Sequence, residues 1–373
     1  MHKVHKENGS WHIRTIDVKE RKKILICPID WGLGHATRVL PIIQELIRRN
    51  CEVAIATSGP ALALLRKEFP DLHYYRITGY EPSYSSSGSL VWSLATQLPK
   101  FLRTIRTEHE EIESIVWQDG FNLVISDNRF GCWSINVPSV MITHQLTIQA
   151  PKWLSWIVNF VNRVQIRKFS TCWVPDWEGR DSLAGNLTVA DGLPVKYIGP
   201  LSRFRAADPI AAGTVRKKYE ILALVSGPEP QRRIFEDLLR AQLKKGGKTA
   251  LLVCGLPEEN RRTAEGALEE VSHLPSEELN RAILESEIVI SRPGYSTIMD
   301  LAALGKKAIF IPTPGQTEQE YLGKELMAKK IALCVRQDTF DLERALKRSQ
   351  RFGGFGPPRR DRLLQKALDE LLL

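Results

Sequence analysis

A histidine poised between a glycine turn and a helix start can take a proton from a hydroxyl near neutral pH, and His35 stands in such a place. It belongs to the run Asp30-Trp31-Gly32-Leu33-Gly34-His35-Ala36-Thr37-Arg38, between an apolar β-branched stretch and an amphipathic one. Gly32 and Gly34 allow a ligand close to the backbone, and the helix start offers N–H groups and partial positive charge to an anion. The plain alternative is a helix-cap histidine in a tight turn. A second run, Ser291-Arg292-Pro293-Gly294-Tyr295-Ser296-Thr297-Ile298-Met299-Asp300, ends a strand and opens a helix. Gly294 frees the backbone, Ser296 and Thr297 add hydroxyls, and Arg292 adds a guanidinium, which together make an anion cradle. Asp300 falls one turn later, placed either to accept bonds from a ribose hydroxyl pair or to offset the helix dipole. A third run, Pro312 to Tyr321, gathers Gln316, Gln319 and Glu320 in one loop-to-helix start. Amides and carboxylates there suit sugar hydroxyls, or form an ordinary solvated helix start.

Several other chemistries lack their residues. A dinucleotide fingerprint needs glycine where Thr37 stands and an acid near Thr57 and Ser58. Gly246-Gly247-Lys248-Thr249 has Gln242 where a phosphate loop needs glycine and precedes a strand, so it reads as a helix C-cap. No Asp-x-Asp occurs and no His, Cys or carboxylate cluster has metal spacing, so neither a metal nor a cofactor is expected.

The elements that must position these runs alternate along the chain. Lys23–Ile29, Glu52–Thr57, Leu72–Ile77, Asn122–Ser126 and Pro138–Thr143 read as strands, with helices at 37–50, 60–68 and 90–117 between them. A second array starts after Val195–Phe204, with strands at 221–226, 249–254, 287–291, 308–312 and 331–335. Its helices fall at 231–243, 276–286, 295–304, 317–329 and 341–349, and Arg359–Leu373 closes the chain. Continuous apolar strands between helices imply parallel sheets covered on both faces, in an α/β fold of two doubly wound, Rossmann-like domains. The expected division is a flexible tail at 1–21, domains at 22–200 and 201–352, and a C-terminal helix at 353–373 packing back toward the first domain. The hinge falls near Ile198–Ser202. The ends of parallel strands are where ligands bind, and all three runs lie there.

Composition agrees with this reading. Of 373 residues, 43% are apolar and 25% charged, which suits ordinary globular domains. The net charge of +9 favours an anionic partner. Six scattered cysteines form no C-x-x-C pair and read as reduced thiols, and the polar start is no secretory signal, so a cytoplasmic location is expected. No apolar run is long enough to span a membrane. Basic residues are dispersed and form no known nucleic-acid module.

The pairing of G-x-G-H with R-P-G-Y-S-T-I-M-D and Q-T-E-Q-E-Y resembles GT-B glycosyltransferases, most closely the MurG-like family 28, over about residues 22–373. The resemblance implies two domains facing each other across a cleft, a UDP-linked sugar held mainly by the second, and no metal. It implies transfer of a hexosyl or N-acetylhexosaminyl group with inversion, by an enzyme of the cell envelope. By the same resemblance Arg292, Gly294, Ser296 and Thr297 face the diphosphate, Asp300 the ribose, and Gln319 with Glu320 the donor sugar, while His35 is the base. Ser226 and Gly227, in Ser226-Gly227-Pro228-Glu229, take the place of a second phosphate loop with fewer glycines than the family has. Glu320 stands where the family has an amide. The G-x-G-H-x-x-R turn, with Arg38, also resembles the nucleotide-sugar hydrolase of pseudaminic acid synthesis. A nucleotide-sugar sensor without activity is a third possibility.

Asp127 ends a strand at the sheet edge that carries His35, so it either orients His35, holds the acceptor, or merely closes a turn. His144, after the next strand, has the same ambiguity. The acceptor is an unidentified hydroxyl compound, lipid-linked in the envelope reading. Residues 151–170 read as a helix without acids, in which Lys152, Trp156, Asn159, Arg163 and Arg167 share one stripe. That stripe either lies on an anionic membrane or faces water while the apolar side packs on the sheet.

Overall fold

A computed structural model describes residues 2–7, 10–15, 21–30, 33–79, 98–204, 216–359 and 361–373. Gly32 and the start of the helix expected at 90–117 lie outside them. The segment expected as a flexible tail carries β1 (His2–Glu7) and β2 (Ser10–Thr15), paired antiparallel. Alternation of Trp11, Ile13 and Thr15 suits a strand.

The N-terminal half runs β3 (Lys23–Pro28), α1 (Leu33–Arg48), β4 (Glu52–Thr57), α2 (Gly59–Glu68), β5 (His73–Arg76) and α3 (Leu98–Asp119). It continues through β6 (Leu123–Asp127), β7 (Ser139–Ile142), α4 (Lys152–Ile166), β8 (Thr171–Val174) and β9 (Val195–Tyr197). The seven strands lie in the order β5-β4-β3-β6-β7-β8-β9, all parallel. Both faces of β3 are dry, as its unbroken apolar run requires. Ile24 and Ile26 pack with α1 on one side, Leu25 and Cys27 with Ile112 and Phe121 on the other. Strands β8 and β9 extend the sheet beyond the array read from sequence.

The C-terminal half runs β10 (Tyr219–Leu224), α5 (Gln231–Gly246), β11 (Ala250–Val253), β12 (Arg262–Glu265), β13 (Leu268–Val271), α6 (Ser276–Glu285) and β14 (Ser286–Ser291). Then come α7 (Tyr295–Ala303), β15 (Lys307–Phe310), α8 (Thr317–Ala328), β16 (Leu333–Cys334), α9 (Leu342–Ser349) and α10 (Leu363–Leu372). Its sheet has the order β12-β13-β11-β10-β14-β15-β16, parallel except for the β12–β13 pair. This antiparallel edge was not legible in sequence, because β12 is fully exposed and carries no apolar alternation.

Chain order reverses between β3 and β6 in one sheet and between β10 and β14 in the other. Crevices beyond strand ends at such points are where α/β folds bind ligands. The run carrying His35 follows β3, and Asp127 ends β6, with Pro28 and Asp127 in register. Ser226 and Gly227 follow β10, and Gly294 follows β14. The two halves are pressed together, since one apolar cluster includes Val39, Leu40 and Ile43 of α1 and Ile298 and Met299 of α7. The linker lies on α7: the Leu201 N–H donates to Met299 Sδ at 3.3 Å and Ser202 Oγ to Asp300 Oδ1 at 2.7 Å. Helix α10 returns to the N-terminal half, where Asp369 pairs with Arg49 at 2.5 Å, Glu370 pairs with Lys196, and Leu368 is buried.

Helix α4 corrects the expectation for 151–170. Asn159 and Asn162 are buried beneath it, where Asn159 Nδ2 donates to Ile148 O at 3.1 Å and Asn162 Nδ2 to Gln145 O at 2.9 Å. Arg163 pairs with Asp191. The expected stripe is therefore split, with Asn159 buried and Arg163 half-buried but Trp156 and Arg167 exposed. Trp153, Trp156, Ile157, Phe160, Val161 and Val164 are exposed, an apolar row turned outward. Among the described residues no helix is long and apolar enough to cross a membrane.

Candidate active site

The first two runs meet across the halves. Ser296 Oγ, in the first turn of α7, donates to Gly34 O at 2.9 Å, and a Cβ on Gly34 would stand 3.0 Å from that oxygen. A side chain at 34 would therefore crowd the first turn of α7. Among the described residues a Cβ on Gly294 would meet only Thr297 Oγ1, at 4.0 Å, so none of them crowds the backbone ahead of α7. The first N–H groups of such a helix have no partner within it and attract an anion.

His35 lies one residue past Gly34, with 21% of its side-chain surface exposed. Its Nδ1 is 3.3 Å from Asp127 Oδ1 and 2.7 Å from Arg38 Nη2. Arg38, buried on the next turn of α1, grips Asp127 with two nitrogens, Nε reaching Oδ2 at 3.0 Å. Burial alone would raise the Asp127 carboxyl, but Arg38 and His35 hold it down at about 2, so it stays ionised. Burial and the Arg38 charge push the His35 imidazole below its ordinary pKa, against the pull of Asp127. It is therefore neutral at neutral pH. A guanidinium only donates, so Nδ1 accepts from Arg38 and the ring proton sits on Nε2.

The network continues into the other half. Arg38 Nη1 stands 3.3 Å from His144 Nδ1, and His144 Nε2 donates to Glu318 Oε1 at 2.8 Å, at the start of α8. Gln145 Nε2 donates to Glu318 Oε2 at 2.6 Å. The Tyr295 ring stacks on His144 with centroids 4.0 Å apart. Burial would raise the Glu318 carboxyl, but the His144 bond holds it below its ordinary value. Sequence reading missed Glu318 and Tyr295 and gave Arg38 no structural part. Their positions inside the quoted runs were the available signal.

Arg292 and Asp300 both hold partners within the protein. Arg292 is buried within the C-terminal half and does not face the opening. Its Nη1 donates to Ile311 O and Pro312 O at 2.9 Å, and its guanidinium lies 3.8 Å from the Phe235 ring centre. Burial lowers its pKa to about 10, which leaves it charged and spent on carbonyls rather than on a phosphate. Asp300, half-buried, holds the linker by accepting from Ser202 Oγ through Oδ1.

The third run braces itself. Gln316 Oε1 accepts from Gln319 N at 2.6 Å, Gln319 Oε1 from Thr313 N at 2.8 Å, and Glu320 Oε1 from Gly315 N at 3.2 Å. Ser226 and Gly227 are exposed at the end of β10, and Thr297 is half-buried. His35 and Asp127 are thus brought together, Gly34 and Ser296 touch, and Gln316, Gln319 and Glu320 form one loop.

Asp300 also gives a stability prediction. Burial pushes its carboxyl up to about 6, against the opposing pull of Arg203 and Ser202. The folded state therefore binds this proton more tightly than the unfolded chain. That contribution is complete below about pH 4 and is lost as pH rises through 6. Asp300→Asn is expected to stabilise the protein at pH 7.5 by up to about 3 kcal/mol and far less at pH 4.5. Melting curves at the two pH values check it, and a gap that does not change with pH contradicts it.

Residues 241–353 match the model for the glycosyltransferase family 28 C-terminal domain. An uncharacterized glycosyltransferase of Methanopyrus kandleri is 22% identical over 78% of this chain and 86% of its own. The UDP-N-acetylglucosamine–N-acetylmuramyl-(pentapeptide) pyrophosphoryl-undecaprenol N-acetylglucosamine transferase of Haemophilus ducreyi is 24% identical over 87% of this chain and 88% of its own. Among solved structures, Acinetobacter baumannii MurG superposes with a TM-score of 0.58 and 14% identity, covering 94% of this chain and 99% of that one. The spinosyn rhamnosyltransferase SpnG, solved with thymidine diphosphate, gives 0.61 and 14%, covering 94% and 95%. These two likenesses establish the GT-B fold.

Proposed function

We propose, from the premise that this chain is a glycosyltransferase of the family 28, GT-B type, that it moves a sugar from a UDP-linked donor to a hydroxyl acceptor without a metal, with His35 as base. The observation that carries this is the Ser296–Gly34 contact, which sets the N-terminus of α7 against the turn holding His35. An anionic diphosphate suits the first N–H groups of α7, whose dipole stabilises the charge that grows as the nucleotide leaves. The complex of SpnG with thymidine diphosphate supports a nucleotide donor.

In a single displacement, the acceptor oxygen attacks the anomeric carbon as its proton passes to His35 Nε2, in the tautomer whose own proton has moved to Nδ1 beside Asp127. The bond from that carbon to the diphosphate breaks, and the configuration inverts. Asp127, ionised and 3.3 Å from Nδ1, steadies the imidazolium that forms. Closure about the linker at 198–202 excludes water and favours transfer over hydrolysis.

The test is UDP release from UDP-sugars with and without an acceptor extract. Release that depends on the extract supports a transferase. Steady release without acceptor identifies a hydrolase, and no release under either condition identifies a sensor.

The acceptor side also suggests where the protein works. The exposed row of Trp156, Ile157, Phe160, Val161 and Val164 on α4 ends beside exposed Arg167 and Lys168, a pairing that suits the interface of an anionic bilayer and a lipid-linked acceptor. Trp156→Ser with Phe160→Ser is expected to lower binding to phosphatidylglycerol vesicles about tenfold or more, the loss of two buried aromatics. Flotation measures it. Equal binding by both proteins removes α4 as the contact.

A further inference from the structure

We propose that Glu318, acting through His144 and Arg38, governs whether His35 can serve as a base, so that seating α8 against the N-terminal half sets the proton position on the reacting ring. This rests on His35 being the base.

Each link has one permitted direction. Glu318 is ionised and only accepts, so His144 Nε2, 2.8 Å from Oε1, carries a proton. A guanidinium only donates, so His144 Nδ1 accepts from Arg38 Nη1 at 3.3 Å. Stacking on Tyr295 and the bond from Tyr295 Oη to Pro175 O, 2.9 Å, fix the plane of that ring. Arg38 is thereby held at Asp127, His144 and His35 together, and its Nη2 occupies His35 Nδ1. In this arrangement His35 presents Nε2–H, a donor, toward an acceptor hydroxyl. The base form has its proton on Nδ1, bonded to Asp127, with Nε2 vacant. It is reached when Nε2 gives a proton to water, Nδ1 takes one, and Arg38 Nη2 withdraws.

Glu318 stands next to Gln319 in the first turn of α8, which is braced with the preceding loop over 313–320. Rearrangement of this loop around a donor sugar would loosen Glu318 from His144 and Gln145. His144 could then move its proton to Nδ1, which no longer accepts from Arg38. The base would appear only when the donor is in place, a safeguard against idle proton transfer. The charged and titratable groups facing His35 are Arg38 on its own helix, Asp127 from β6, His144 after β7 and Glu318 from α8.

The test uses Glu318→Ala, which removes the acceptor, Glu318→Gln, which keeps an acceptor oxygen, and His144→Phe, which keeps the stack on Tyr295. Arg38 next to Nδ1 depresses the basicity of His35, so its withdrawal raises it. The acidic limb of kcat/KM is expected to move up by roughly one pH unit in Glu318→Ala and His144→Phe, and to return in Glu318→Gln. Ring-nitrogen NMR of histidine-labelled protein, with the His35 signals assigned from His35→Gln, should show Nδ1 unprotonated in the wild type and shifted toward Nδ1–H in Glu318→Ala. An unmoved limb together with an unmoved tautomer overturns the relay. If His35→Ala retains full turnover, the base assignment itself fails, whatever the relay variants do.

Discussion

His35→Ala is expected to lower kcat by about 10²–10⁴ while leaving UDP binding nearly unchanged. The reasoning is local. The ring engages only Asp127 and Arg38 through Nδ1, and Nε2 has no protein partner among the described residues. Truncation thus removes the proton acceptor without touching the first turn of α7, where the diphosphate is expected. Thermal stabilisation by UDP measures binding independently of turnover, because a ligand selective for the native state raises the melting point. A variant that loses turnover and UDP binding together would point to a collapsed cleft. One that loses neither would end the base assignment.

Arg129→Met is expected to cost about 3–5 kcal/mol of stability. Arg129 and Glu108 are fully buried, with Nε 2.7 Å from Oε1, and Nη2 donates to Thr78 O at 2.5 Å. Glu108 Oε2 also accepts from the Gly131 N–H at 3.3 Å. The pair therefore pins the turn that follows Asp127 onto α3. Methionine fills much of the volume but strands a buried carboxylate. Replacing both partners, with Glu108→Leu and Arg129→Met, is expected to recover most of the loss, since a dry apolar pair needs no counter-charge. Denaturant unfolding of the single and double variants measures both effects. A single variant as stable as the wild type contradicts the stranded-charge argument.

Local pattern made much of the fold legible. The unbroken apolar runs at 24–27 and 288–290 read as strands buried on both faces, and each is. The three polar runs lie at strand ends because parallel sheets leave only those ends open. What escaped was decided by distant partners. Arg38 is a charge on a helix, ordinarily turned to water, yet Asp127, 89 positions away, takes it into the interior. Arg292 carries the type that binds phosphate, but the carbonyls of Ile311 and Pro312 claim it first. The bond from Ser202 to Asp300 was equally out of reach, because nothing in sequence placed the linker on α7. On α4, sequence left open whether the apolar side packs on the sheet or turns away from it. Asn159 and Asn162 bond backbone carbonyls beneath the helix, and this turns the row outward. β12 and β13 escaped for a simpler reason, since the exposed edge strand β12 and its short neighbour, with Glu269 and Glu270 at its centre, carry no alternation.

The most direct measurement is a crystal structure with UDP bound. The diphosphate should lie on the N–H groups of Tyr295, Ser296 and Thr297, with the His35 ring across the opening from its terminal phosphate. A nucleotide held by the N-terminal half, or a His35 ring walled off from the bound phosphate by packed side chains, would contradict the mechanism.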